Sequence, residues 1–186
     1  MTTSAGNGRR VLVCNVHLPS LANHGSYDKT VDNLKLLAEE LKDYRRDAAN
    51  SEVAEIIIGD FNLEPHAPAL RDEYVLNGNR SLQYVTDRES KRPKGERLRS
   101  FYNPAWRLYG AECSPHGSHY YAGEPGGPWY VFDQAFFSGD LASEPVKIRL
   151  IDKIGRKSLL TPKVFQPDQN VGSDHLPIVW TVKIKP

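Results

Sequence analysis

Hydrophobic and polar positions alternate with a period of two at the start of the readable pattern. In Val11 to Leu18, VLVCNVHL, Leu12, Cys14, Val16 and Leu18 share one face, and Val11, Val13, Asn15 and His17 share the other. The first face is apolar throughout. The second turns polar at its C-terminal end, so Asn15 and His17 project together where the strand exits. The period then changes. Between Thr30 and Ala49, Val31, Leu34, Leu37, Leu41 and Tyr44 recur at helical steps, with Lys35, Glu39, Glu40, Lys42 and Arg46 on most of the other side. This predicts a helix covering a sheet, with Asp28 or Thr30 as its cap. Glu55 to Pro65, EIIIGDFNLEP, follows as a β-branched run broken by glycine. Strand, helix, strand is a βαβ-like unit.

Further along, HAPALRDEYVL predicts a short helix, and residues 77–127 read as irregular. Trp129 to Ser138 predicts one strand with Asp133 in its middle. Val146 to Asp152 predicts another, and Leu176 to Ile184 the last, led in by Gly-Ser-Asp-His. There are no internal repeats, so the 186 residues predict one α/β domain spanning 1–186, with residues 1–10 as a polar lead-in.

Composition narrows the picture in three ways. A chain with 39% hydrophobic and 25% charged residues is globular rather than disordered. A net charge of +1 names no polyanionic partner, so nucleic-acid binding would need a local basic patch. The segment from Arg88 to Arg99, followed by Phe101, Tyr102 and Trp106, is one such patch, and a solvated loop is its plainer reading. The two cysteines, Cys14 and Cys113, lack metal-site spacing and read as free thiols in a reducing compartment. MTTSAGNGRR carries no apolar leader, and no run reaches the ~18 apolar residues of a membrane span. The expectation is a cytoplasmic protein without a membrane partner.

Four polar points interrupt strands or their ends: Asn15 with His17, Asp60 with Asn62, Asp133, and Asp174 with His175. Each has a structural alternative. Asp60 and Asn62 suit a turn, His17 a satisfied half-buried histidine, Asp133 the wet face of an edge strand, and Asp174–His175 an ordinary loop. Together they are carboxylates, amides and imidazoles at strand ends, the makeup of a metal-assisted phosphoryl site.

The blocks NVHL (15–18), GDFN (59–62), FDQAFFS (132–138) and GSDHLP (172–177) stand in the order found in the endonuclease/exonuclease/phosphatase superfamily, the deoxyribonuclease I-like group, which this chain resembles from about Val11 onward. FYNPAW and HGSHYY resemble a bacterial branch of it. The resemblance implies a four-layered α/β sandwich, two mixed β-sheets flanked by helices. It also implies metal-dependent phosphoester hydrolysis with Mg2+ or Mn2+. On that basis Asp60 activates water, Asn62 holds Asp60 and the phosphate, and Asp133 orients His175 on the scissile phosphate. Asp174 supports or ligates the metal, together with Asp60, and His17 with Asn15 beside it donates to a phosphate oxygen. A nuclease acting on nucleic acid is the leading expectation. A phosphatase or phosphodiesterase acting on a lipid or sugar phosphate is the alternative, and His17 resembles the deoxyribonuclease, sphingomyelinase and inositol-phosphatase branches.

One departure qualifies the resemblance. The family carries N-terminal strands, a helix and a metal-ligand Glu ahead of the NVHL strand, and these have no counterpart here. The chain is therefore expected to match the C-terminal two thirds of the domain. The rest would be cut away, supplied by a second polypeptide or by self-association, or lost in a degenerate binding module. Alone, the chain is expected to show weak or no metal-dependent turnover.

Overall fold

The computed structural model describes residues 2–5, 9–20, 27–47, 49–91, 99–110, 115–123, 127–142 and 144–184. Its centre is a six-stranded mixed sheet. The strands of the chain are β1 (Thr2–Ala5), β2 (Arg9–His17), β3 (Ala54–Asp60), β4 (Gly78–Asn79), β5 (Phe101–Tyr102), β6 (His119–Tyr120), β7 (Trp129–Tyr130), β8 (Asp133–Ser138), β9 (Lys147–Leu150), β10 (Lys153–Ile154), β11 (Lys157–Ser158) and β12 (Ile178–Thr181). The helices are α1 (Tyr27–Tyr44), α2 (Pro68–Arg71) and α3 (Leu82–Ser90), with a 3-10 turn at Pro104–Gly110. The main sheet runs β1-β2-β3-β8-β5-β4, and β6–β7, β9–β12 and β10–β11 form antiparallel pairs.

β2 and β3 pair in parallel, as a βαβ crossover through α1 requires. The alternation in β2 sorts the two faces. Leu12, Cys14 and Val16 join Ile57, Phe61 and Phe136 beneath Leu34 and Leu41 of α1. Phe61 and Phe136 meet with ring centroids 5.0 Å apart. Burying aromatic and aliphatic side chains of this size stabilises the fold by about 1.5–3 kcal/mol each. On the opposite face Val11, Ala135 and Phe137 pack with Leu141, Val146 and Val85 of α3. Trp180 and Val182, on and just after β12, reach the same core. β9–β12 is thus the second sheet's contribution, and Val13, Ile56 and Ile58 on this face are only half-buried.

A buried ion network pins β3. Glu55 is 1% exposed and accepts from Arg45 at 2.7 and 2.6 Å and from Arg99 at 2.8 Å. Arg99 also donates to the Val53 carbonyl at 2.6 Å. The candidate basic patch is corrected here. Arg99 is an internal ion-pair partner, and Phe101 and Tyr102 are core residues at 2% and 3% exposure, so none is available for backbone tracking or base stacking. Residues 92–98 of that patch lie outside the described residues, as does Cys113. Cys14 is a free, half-buried thiol, its pKa raised mainly by burial.

Four other expectations shift. The polar lead-in contains a strand, because β1 needs only its backbone to pair with β2. The helix begins at Tyr27, so neither Asp28 nor Thr30 caps it, and buried Thr30 donates instead to the Pro19 carbonyl at 3.4 Å. The helix stops at Tyr44, where a turn built on Asp47 replaces the expected continuation to Ala49. The aromatic run from Trp129 is two strands, which places Asp133 at the first position of β8 rather than in mid-strand.

Candidate active site

The parallel pairing of β2 with β3 and the antiparallel pairing of β3 with β8 bring three polar residues level at one rim. His17 is the register partner of Asp60, and Asp60 is the register partner of Asp133. Register partners on adjacent strands point to the same face. His17 Nε2 stands 3.6 Å from Asp60 Oδ2, and the imidazole is largely exposed. Asn15 lies two residues back on the same face of β2, beside Ile58, and is exposed.

The turn after β3 is local chemistry. Gly59 has φ +144°, and a Cβ there would fall 1.9 Å from the Val16 carbonyl oxygen, so only glycine lets β3 close on β2. Asn62 takes a left-handed φ of 48°, which asparagine tolerates better than most residues. Its backbone N–H donates to Asp60 Oδ1 at 2.8 Å, and its side-chain amide donates to Asp60 Oδ2 at 3.1 Å and to the Leu18 carbonyl at 2.8 Å. Asp60 is therefore held on both oxygens. Burial raises its pKa most, the Asn62 N–H opposes this, Asp133 raises it further, and His175 and His17 lower it.

His175 comes from the segment before β12. Its Nδ1 lies 2.7 Å from Asp133 Oδ2. Burial disfavours the imidazolium, but the hydrogen bond and charge of Asp133, aided by Asp60 and Asp174, outweigh it and raise the pKa. The segment is fixed by buried Ser118, whose hydroxyl accepts from the Asp133 N–H at 3.2 Å and whose carbonyl accepts from the Leu176 N–H at 2.7 Å. Ser173 accepts from the His175 N–H at 3.2 Å and donates to exposed Asp174 at 3.1 Å.

The structure thus brings His17, Asp60, Asn62, Asp133 and His175 together at one rim, with Asp174 beside His175 and Asn15 set back along β2. Sequence reasoning passed over three residues here. His119 stacks on Phe132 with centroids 5.4 Å apart and lies 4.6 Å from the His175 ring. Its pKa is lowered by burial and then by His175, against the pull of Asp174 and Asp60. Gln134 accepts from Asn103 at 2.8 Å and donates to the Leu63 carbonyl at 2.5 Å, so FYNPAW braces the turn after GDFN. Glu64 accepts from the Tyr109 hydroxyl and from the Val131 N–H at 3.3 Å. HGSHYY and FYNPAW were visible as motifs, but nothing in them says which side chain turns toward the rim. A cavity of about 310 Å3 opens beside the Asp133–His175 pair, with Ile58, Pro177 and Trp180 as its apolar wall.

No family model and no curated protein matches the sequence. Solved structures match it in fold. A protein from Bacteroides thetaiotaomicron described as an endonuclease/exonuclease/phosphatase family protein aligns with 93% of this chain at TM-score 0.51 and 18% identity. The chain shares its fold with that endonuclease/exonuclease/phosphatase family protein. A mannosyl-6-phosphatase from Bacteroides thetaiotaomicron aligns with 95% of this chain at TM-score 0.52 and 15% identity. A functionally unknown conserved protein from Enterococcus faecalis aligns with 97% at TM-score 0.53 and 18% identity. The chain spans about half the length of these structures, covering 50%, 52% and 52% of them respectively.

The resemblance read in the sequence implies a divalent cation, and the carboxylates at this rim are of the chemical class that such an ion takes. Asp60, Asp133 and Asp174 each act to raise the pKa of His175, and Asp133 acts to raise that of Asp60. Hard carboxylate oxygens are what Mg2+ takes, one or two at a time with water completing its shell.

Proposed function

We propose that this chain carries the water-activating and phosphate-binding groups of a divalent-metal-dependent phosphoesterase. The single observation that supports this best is the 2.7 Å Asp133–His175 pair, beside an Asp60 held on both oxygens. In this reading Asp60 orients the attacking water and takes its proton. Its raised pKa moves it toward the basicity that this needs. Asn62 keeps the carboxylate in place. Asp133 holds Nδ1 of His175, so that Nε2 presents its proton to a phosphate oxygen as charge grows there. Exposed His17 donates to a second oxygen, and Asn15 lines the approach along β2. Asp60 and Asp174 hold the cation, which when bound supplies further stabilisation of the phosphate's charge.

As the finer reading, the substrate is a phosphodiester of nucleic acid. A second reading, a sugar phosphate monoester, is favoured by the burial of Arg99, Phe101 and Tyr102, and by the likeness in fold to the mannosyl-6-phosphatase. The test is a substrate panel with Mg2+ or Mn2+: single- and double-stranded DNA, RNA, a hexose 6-phosphate and a generic diester. Turnover of the nucleic acids supports the first reading. Turnover of the hexose phosphate alone supports the second, and no metal-dependent turnover of any member refutes both.

A further inference from the structure

The ligand-capable atoms of His119, Asp174 and His175 all lie within 4.8 Å of one another. Two of the three are imidazoles, and this changes the chemistry of the cluster. Mg2+ and Ca2+ take oxygen and bind imidazole poorly. Two histidines with one carboxylate are a donor set for borderline divalent ions, the kind that leaves coordination positions open to water or substrate.

Three independent features single out this cluster. First, Nδ1 of His119 is buried without a hydrogen-bond partner among the described residues. A buried imidazole nitrogen costs free energy unless something meets it. Second, His175 already has the partner that a metal-binding histidine characteristically has. Its Nδ1 is tied to the Asp133 carboxylate at 2.7 Å, which fixes the tautomer and leaves Nε2 with its lone pair available for a cation. Third, the two histidines are held by backbone. His119 and His175 form an antiparallel bridge, and Ser118 ties the same two segments at 2.7 Å. Asp174 is exposed and accepts from the Ser173 hydroxyl at 3.1 Å, a contact its carboxylate can exchange for a cation. Ligands about 2.1 Å from a common ion stand roughly 3–3.5 Å apart, so an adjustment of about an ångström closes the set.

We propose that His119, Asp174 and His175 bind a borderline transition-metal cation of the Zn2+ and Co2+ class. Such an ion takes Nε2 of His175, the atom assigned above to phosphate. Ion binding and the hydrolytic use of His175 and Asp174 therefore exclude one another, the bound ion being expected to block hydrolysis, and because the binding is measured without substrate the two readings fail separately.

The experiment titrates the tag-free protein with Co2+, following the visible d–d absorption, with Zn2+ competition by calorimetry. One Co2+ is expected per chain, displaced by stoichiometric Zn2+ but not by excess Mg2+. His119→Ala is expected to weaken binding at least tenfold, and Asp133→Asn tenfold to a hundredfold through the loss of the partner on His175. Asp174→Asn, at an exposed position where the fold is not at risk, is expected to weaken it about tenfold and decides the matter if His119→Ala does not fold. Absence of one-to-one Co2+ binding would overturn the proposal. So would displacement by Mg2+, or unchanged affinity in Asp174→Asn.

Discussion

At the scale of single residues, the order of the motifs in the sequence already implied the pairing of Asp133 with His175. SDH at 173–175 and FDQ at 132–134 are far apart in the chain, and only the resemblance joined them. The structure adds the distance and the electrostatic balance. Because the folded pKa of His175 is raised, its contribution to stability is fully present below the unfolded imidazole value, about 6.5, and is lost as pH rises through the higher folded value. Asp133→Asn removes the hydrogen bond and the nearest charge. NMR titration is therefore expected to find the His175 imidazole titrating lower in Asp133→Asn than in the parent. The parent's stability advantage should be largest on the acid side of neutrality and shrink above it. Identical His175 titrations in the two proteins would contradict the pairing. His119 escaped notice because a histidine beside two tyrosines reads as sheet packing, and its neighbours come from another segment of the chain.

At the scale of elements, strands were legible where alternation was clean, as in β2, or where a short β-branched run was closed by glycine, as in β3. They were less so where apolar residues ran on without a break. Trp129 to Ser138 hides its division into β7 and β8, since pairing with β6 and with β3 rather than composition separates the two. The order in 77–127 comes from distant partners. Asn77 donates to Ser100 at 2.8 Å and Asn103 to Gln134 at 2.8 Å, contacts that no local pattern announces. Arg99 was misplaced for a related reason: sequence reports its charge but not the buried Glu55 that neutralises it. Removing one member of a buried charged network typically costs 3–5 kcal/mol. Arg99→Met is expected near the lower end, about 3 kcal/mol by urea unfolding, because Arg45 still pairs with Glu55. Arg88→Met, in the exposed last turn of α3, is expected within about 0.5 kcal/mol of the parent. Gly59→Ala is the sharpest test of the β2–β3 junction. A Cβ 1.9 Å from the Val16 carbonyl forces the strands apart, so loss of cooperative unfolding or a destabilisation of several kcal/mol is expected. A melting curve like the parent's would refute this packing.

At the scale of the whole molecule, the sheet has one face packed beneath α1 and one that the β9–β12 ribbon covers in part. The rim residues sit at the edge of the second face, where Ile58, Trp180 and the 310 Å3 cavity meet the Asp133–His175 pair. Under the proposed function, this sheet end with two oriented carboxylates and two imidazoles stabilises an anion whose charge rises during reaction. The most direct test of that claim is metal-dependent hydrolysis of bis-(p-nitrophenyl) phosphate by the full gene product, compared with Asp60→Asn and His175→Ala after circular dichroism confirms their folds. The expected result is turnover that requires Mg2+ or Mn2+ and falls about 100-fold or more in each variant, because one loses the base and the other a phosphate donor. Undiminished turnover in either folded variant would contradict the central claim.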